Sequence, residues 1–185
     1  MNQVLSFFKQ ANKEQSFEAK LAPYIDLLFK VAYQYTGTKS DAEDLTQDLL
    51  IYLYENQQKL QKVEKLKPWL MRCLYHKFID NCRRNKNHNQ VTELDDTCLE
   101  NLAAHKNDYA QTIMNQQIVV GLQTLSPNQR AVVSLHDIQG HSLTELAEIL
   151  DKPLGTLKSD LHRARAKLKN FLKLQPSDLD LRQYL

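Results

Sequence analysis

Apolar residues recur at steps of three and four along almost the whole 185-residue chain, and alternating strand patterns are hard to find. That period fits helices and little else, so the expected class is all-α. With 42% hydrophobic residues there is enough apolar surface for a packed core, and four glycines are too few for a Gly-rich phosphate loop or a loop-rich sandwich. No apolar run reaches the ~20 residues of a membrane span, so no membrane insertion is expected. The N-terminal stretch lacks a basic segment followed by a long apolar one, so no secretory signal is read. Cys73, Cys82 and Cys98 form no CxxC pair and read as reduced thiols of a cytoplasmic protein, without disulfide or metal.

The helix signals fall into two blocks. The first has a helix over about 17–36, ended by Gly37. A second helix runs to about Glu55, with Ser40 and Glu43 as its capping box. Residues 56–67 read as loop or frayed helix, and Pro68 fits the first turn of a helix reaching about Arg84. The polar, then acidic, stretch 86–108 reads as a flexible linker. The second block has a helix over 113–125 and another opened by Ser126, Pro127 and Gln129. A short helix opened by Ser142 and Glu145 follows, then a turn at 151–155, then a long basic helix over 156–172. Short helix, tight turn and basic helix form the order of a helix-turn-helix. The expected division is 1–85, linker 86–108, 109–173 and a tail at 174–185.

A formal charge of +2 conceals sorted blocks. Residues 41–55 hold five acids and no base, for −5. Residues 69–89 carry +4, 90–108 carry −4, and 152–173 carry +6. Sorted charge of this kind points to separate contact surfaces.

Three surfaces follow. On the last helix Leu157, Leu161, Ala164, Leu168 and Phe171 form a core stripe. Off it Thr156, Ser159 and Arg163, with Lys158 and His162 adjoining, lie where the second helix of such a motif reads the major groove, and Arg165, Lys167 and Lys169 lie further along and suit phosphates. Asp160 is favoured to pair within its helix with Arg163 or Lys167, rather than to accept from a cytosine. On the helix after Pro68, Arg72, His76 and Arg83 fall on one outward face, flanked by Lys77 and Arg84. Cations beside aromatic rings suit opened or single-stranded nucleic acid, although Trp69, Tyr75 and Phe78 are favoured as core. On the acidic helix Asp41, Asp44 and Asp48 share a face with Gln47. No histidine motif, nucleophile elbow or P-loop accompanies these carboxylates, so protein contact is favoured over catalysis and no cofactor is expected.

These residues resemble a known family. Asp41-Ala42-Glu43-Asp44-Leu45-Thr46-Gln47-Asp48, Trp69-Leu70 and Ile79-Asp80-Asn81-Cys82-Arg83-Arg84 are similar to region 2 of bacterial RNA polymerase sigma factors. Leu125 to Arg130, Leu146 to Leu150 and Pro153 to Arg165 are similar to region 4. The chain has no room for the further regions of housekeeping sigma factors, so the resemblance is to the extracytoplasmic-function (ECF) group. It implies that Asp41, Asp44, Gln47 and Asp48 dock on the β′ clamp helices of core RNA polymerase. It implies −10 promoter contacts from Arg72, His76, Lys77, Asn81, Arg83 and Arg84. It implies −35 contacts from Pro153, Gly155, Thr156, Lys158, Ser159, His162, Arg163 and Arg165. The β flap and an anti-sigma factor are implied as further partners. The chain departs from the family's common residues at His76 (Asn), Asp160 (Arg) and Asp151 (Gly), and left-handed geometry is tolerable for Asp at that turn. Two rivals remain at this point: a helix-turn-helix regulator acting without polymerase, and a nucleic-acid enzyme using the carboxylates.

Overall fold

The computed structural model describes residues 2–88 and 109–173, with side chains over 17–85 and 116–172. Expected features at 89–108, Cys98 and the 174–185 tail lie outside these residues. Among the described residues there is no strand. The first block is α1 (Asn2–Thr36), α2 (Lys39–Glu55), the one-turn α3 (Gln57–Gln61) and α4 (Leu66–His88). The second is α5 (Tyr109–Gln123), α6 (Pro127–Val133), a π-helical turn (Ser134–Ile138), α7 (Leu143–Leu150) and α8 (Leu154–Lys173). The architecture is all-α and two-domain, as the apolar period requires.

Each domain forms because one stripe of each helix is apolar. In the first, Leu28, Val31 and Ala32 of α1 meet Ala42, Leu45, Leu49 and Leu53 of α2 and Leu70, Leu74 and Phe78 of α4, all buried. In the second, Leu157, Leu161, Ala164 and Leu168 of α8 are buried against α6 and α7, and Phe171 is half-buried. Trp69 is half-buried against the core, and Tyr75 and Phe78 are buried, so these aromatics are core residues, as favoured from sequence. The two cores form one continuous apolar cluster.

Helix boundaries follow local chemistry. Gly37 ends α1 with φ +87°, and its N–H donates to the Tyr33 carbonyl at 2.9 Å. A Cβ there would lie 2.5 Å from the end of the Gln123 side chain, which could shift, so it is the left-handed backbone that calls for glycine. The α2 cap differs from expectation. Thr38, two residues before Ser40, is the N-cap, and its hydroxyl accepts from the Asp41 N–H at 3.1 Å. Ser40 instead lies inside the first turn. The competing start won because Gly37 releases the chain early enough for Thr38 to adopt extended backbone. α1 also starts well before residue 17, and α4 continues four residues past Arg84. The α4 extension is wholly polar and carries no apolar stripe, whereas Val4, Phe7, Phe8 and Ala11 of the α1 extension do stand at helical steps.

The second domain's caps agree with expectation. Both capping boxes form: Ser126 with Gln129, and Ser142 with Glu145. The Glu145 carboxylate accepts from the Ser142 N–H at 2.8 Å and its hydroxyl at 2.9 Å. The Ser142 N–H, then its hydroxyl, hold the Glu145 carboxyl below its ordinary value. Glu145 therefore contributes stability that is present at neutral pH and lost as pH falls through its lowered folded value. Ser142→Ala should cost about 0.5–2 kcal/mol in thermal denaturation at pH 7, the usual worth of an N-cap hydroxyl. The wild-type advantage should narrow in the same assay at pH 3.5.

Candidate nucleic-acid interface

α8 places the helix-turn-helix cations in solvent. Pro153, Gly155, Thr156, Lys158, Ser159, His162, Arg163 and Arg165 are all exposed. Asp151 makes the preceding turn with φ +53°, in the left-handed region, as its residue type allows. The Ser159 hydroxyl donates to the Thr156 carbonyl at 2.9 Å. The Arg163 guanidinium donates to Ser159 Oγ at 3.3 Å and to Asp160 Oδ1 at 2.9 Å. Asp160 is thus engaged within its own helix, as favoured from sequence. Its carboxylate fixes the direction of Arg163, although the pair neutralises part of the charge a phosphate would meet.

Arg165 is positioned by a residue that sequence reasoning missed. Its Nε donates to Asp137 Oδ2 at 3.1 Å, and a second guanidinium nitrogen bonds Asp137 Oδ1. Asp137 comes from the π-helical turn and its side chain is 4% exposed. The hydrogen bond and charge of Asp137 raise the guanidinium's already high pKa. In the π turn the Gln139 N–H donates to the Ser134 carbonyl at 3.0 Å, one residue further back than in an α-helix. No pattern of residue types marks such a turn, so a 3.6-residue period could not place Asp137 beside α8.

α4 divides its expected residues between two places. Arg72, His76, Arg83 and Arg84 are exposed, and Arg83 pairs with Asp80 at 3.7 Å. Lys77 is half-buried, with its ammonium 5.2 Å from the centroid of the Tyr52 ring. Arg72 faces the second domain, donating to Asp151 Oδ2 at 3.3 Å. Asn81 lines a cavity on the side of α2.

That cavity belongs to the acidic surface. Asp41, Asp44, Gln47 and Asp48 are exposed on α2 and line one opening of about 540 Å³. Asn81, Cys82 and Asn85 of α4 and Arg130 of α6 form its other sides. Ile51 and Tyr54 continue the α2 surface at 59% and 45% exposure. Apolar side chains of that size beside a row of carboxylates suit a protein partner. Ile51 stands three residues after Asp48 and four after Gln47, and Tyr54 three after Ile51, a spacing readable in the sequence. Asp41 differs from its neighbours because its carboxylate also accepts from the Thr38 hydroxyl at 2.7 Å.

Arg130 is the second residue that sequence reasoning missed. Its guanidinium donates to the carbonyls of Gln123 and Leu125, each at 3.2 Å, and to that of Tyr35. It thereby ties the end of α1 to the end of α5. Burial lowers its pKa. Among the described residues, no cluster of three or more His, Cys, Asp or Glu could hold a metal. No helix among them is long and apolar enough to cross a membrane.

Comparison with known proteins agrees with this arrangement. The sigma-70 region 2 family model matches residues 21–88, and the sigma-70 region 4 model matches residues 115–168. The ECF RNA polymerase sigma factor SigE of Mycolicibacterium smegmatis is 30% identical over 166 residues, which cover 88% of this chain and 64% of that one. The ECF RNA polymerase sigma factor SigW of Bacillus subtilis is 27% identical over 177 residues, covering 89% and 94%. The sigma factor RpoE of Bartonella quintana, solved with the anti-sigma factor NepR, superposes with a TM-score of 0.70 at 28% identity. That match covers 87% of this chain and 99% of that one. With both regions present in one chain and in this order, the protein belongs to the sigma-70 family, in its ECF group.

Proposed function

We propose that the three charged surfaces divide the work of transcription initiation. The chain is a sigma factor, which binds core RNA polymerase and directs it to promoters. In this division the acidic face of α2 (Asp41, Asp44, Gln47 and Asp48, extended by Ile51 and Tyr54) docks on the β′ clamp helices. α4 engages the −10 element through Arg72, His76, Lys77, Asn81, Arg83 and Arg84. α8 reads the −35 element through Pro153, Gly155, Thr156, Lys158, Ser159, His162, Arg163 and Arg165, and the second domain meets the β flap. Residues 1–85 and 109–173 act as the two working units, with 86–108 between them and 174–185 as a tail. The protein is a binding factor rather than an enzyme, and it works in the cytoplasm with polymerase. An anti-sigma factor is a further partner, as for the RpoE relative solved with NepR.

One observation carries this division: a region 2 match and a region 4 match stand in one chain, and the acidic face of α2 and the cations of α4 and α8 are exposed. A helix-turn-helix regulator acting alone would need neither the acidic helix nor α4. Arg163 supplies the test. Already aimed by Asp160 and Ser159, it would pair bidentately with a base edge at little ordering cost. Arg163→Ala should weaken promoter binding by about 1–3 kcal/mol and relax preference at one −35 position, read by footprinting on a randomised −35 library. Uniform weakening across all sequences would move Arg163 from base reading to phosphate binding.

A further inference from the structure

Between Lys152 and Lys173 the chain holds seven bases and a single acid, Asp160. An acid on a helix that approaches phosphates weakens the helix's attraction for them. Its side chain is 12% exposed, against 63% for Arg163, its ion-pair partner at 2.9 Å. Asp160 stands at the border between the core stripe of Leu157, Leu161 and Ala164 and the exposed face of α8. A carboxylate so far withdrawn from water keeps its charge when it is paired and hydrogen-bonded. Arg163 is therefore held by a group that solvent and salt screen little.

Ser159 completes the grip. Its hydroxyl donates to the Thr156 carbonyl at 2.9 Å, which leaves the oxygen's lone pairs to accept from Arg163 at 3.3 Å. Thr156 to Ser159, Ser159 to Arg163 and Asp160 to Arg163 are steps of three, four and three. All four residues lie on one helix, so its own geometry keeps the network in register.

We infer that Asp160 is a positioning residue for promoter selectivity, holding the Arg163 guanidinium toward a base edge and keeping it from swinging to a backbone phosphate. The inference rests on the base-reading assignment of Arg163. An unrestrained arginine is satisfied by phosphates, which every sequence offers alike. Held by Asp160 and Ser159, the guanidinium keeps its other N–H donors for DNA. A donor-only group matches an edge with two acceptors, and O6 and N7 of guanine form that edge in the major groove. The carboxylate also lowers the local attraction for phosphate. Asp160 thus lowers affinity for DNA of any sequence and raises discrimination among sequences.

The test uses holoenzyme assembled from core RNA polymerase and the full-length chain, bound to a promoter library randomised across the −35 element. Four chains are compared: wild type, Asp160→Ala, Arg163→Ala and the double variant. Arg163→Ala should relax preference at one −35 position. Asp160→Ala should relax preference at that same position by about twofold to tenfold, the range for ordering one long side chain. Preferences elsewhere in the element should stay unchanged. On duplex lacking a promoter, Asp160→Ala should bind more tightly than wild type. Its salt slope should steepen by up to about 0.9, the value of one added phosphate contact. In the double variant, loss of Asp160 should change no base preference beyond that of Arg163→Ala. Asp160→Asn keeps the volume and an acceptor without the charge, so it should fall between wild type and Asp160→Ala. It also carries the test if circular dichroism shows Asp160→Ala to be unfolded.

Unchanged preference in the Asp160 variants, with relaxed preference in Arg163→Ala, overturns the positioning role and leaves Arg163 as a reader. A preference that shifts with Asp160 in the Arg163→Ala background overturns it as well, by making the carboxylate a direct base contact. Weakening by the same factor on every sequence reduces Asp160 to a structural role and overturns the proposal. If Arg163→Ala relaxes no position, the base-reading assignment itself fails, a result seen without any change at Asp160.

Discussion

Asp44→Lys combined with Asp48→Lys should abolish binding to core RNA polymerase and leave the fold intact. Both carboxylates are exposed on α2, on the face opposite the buried Ala42, Leu45 and Leu49. Neither is tied into the helix start as Asp41 is through Thr38, so replacing them takes no cap away. If the face meets a basic surface, reversing two charges puts like charges together across an interface, at a cost of several kcal/mol. That corresponds to a loss of about a hundredfold or more in affinity. Co-migration with core enzyme in size-exclusion chromatography reads the loss, and circular dichroism checks the fold. Ile51→Ala should weaken binding by less, and without the strong salt dependence of the charge reversal. Retained binding by the double variant would remove α2 from the docking surface.

The second large effect concerns stability. Arg130→Ala should destabilise the protein by about 2–4 kcal/mol, read as a lower urea midpoint. One guanidinium serves the carbonyls of Tyr35, Gln123 and Leu125, and it lies 5.9 Å from the centroid of the Phe78 ring. Truncation removes charge-assisted hydrogen bonds and opens space behind the acidic cavity that Arg130 lines. Arg130→Lys should recover only part of the loss, because an ammonium cannot reproduce the planar fork of donors. A change below about 0.5 kcal/mol would show that these carbonyls are as well satisfied by water.

The sequence made the core legible because burial follows a periodic rule. Leu157, Leu161, Ala164 and Leu168 lie on one stripe, and the structure buries all four. Caps were legible where side-chain chemistry marks them without competition, at Ser126 and Ser142. At α2 two hydroxyls compete, and Thr38 prevails because backbone conformation after Gly37, rather than residue type, decides. Local electrostatics were readable as well. Arg163 follows Asp160 by a step of three, and that step alone brings them together on a helix. Contacts made across long sequence distances were not. Asp137 reaches Arg165 through a π turn, and Arg72 reaches Asp151 across the two domains. Neither pair has a spacing that could announce it, since each depends on how separate helices are set against each other. The same holds for the cavity, whose walls come from α1, α2, α4 and α6.

The separate placement of charge accounts for how a nearly neutral chain can bind nucleic acid. A uniformly basic protein of this size would bind any duplex through counterion release, with little discrimination. In the proposed division the −5 segment is a face for protein and the +6 segment a face for DNA, so each attraction would be local. Promoter binding should depend strongly on salt through α8, and polymerase binding through α2. Charge reversal on one surface should leave the salt slope of the other unchanged.

The most direct test of the sigma-factor assignment is reconstituted transcription with purified core RNA polymerase, with and without this protein, on a library of randomised promoter sequences. The expected result is start sites that depend on the protein and share two upstream sequence elements, at −35 and −10. Transcripts no different from those of core enzyme alone, or a selected library with a single shared element, would contradict it.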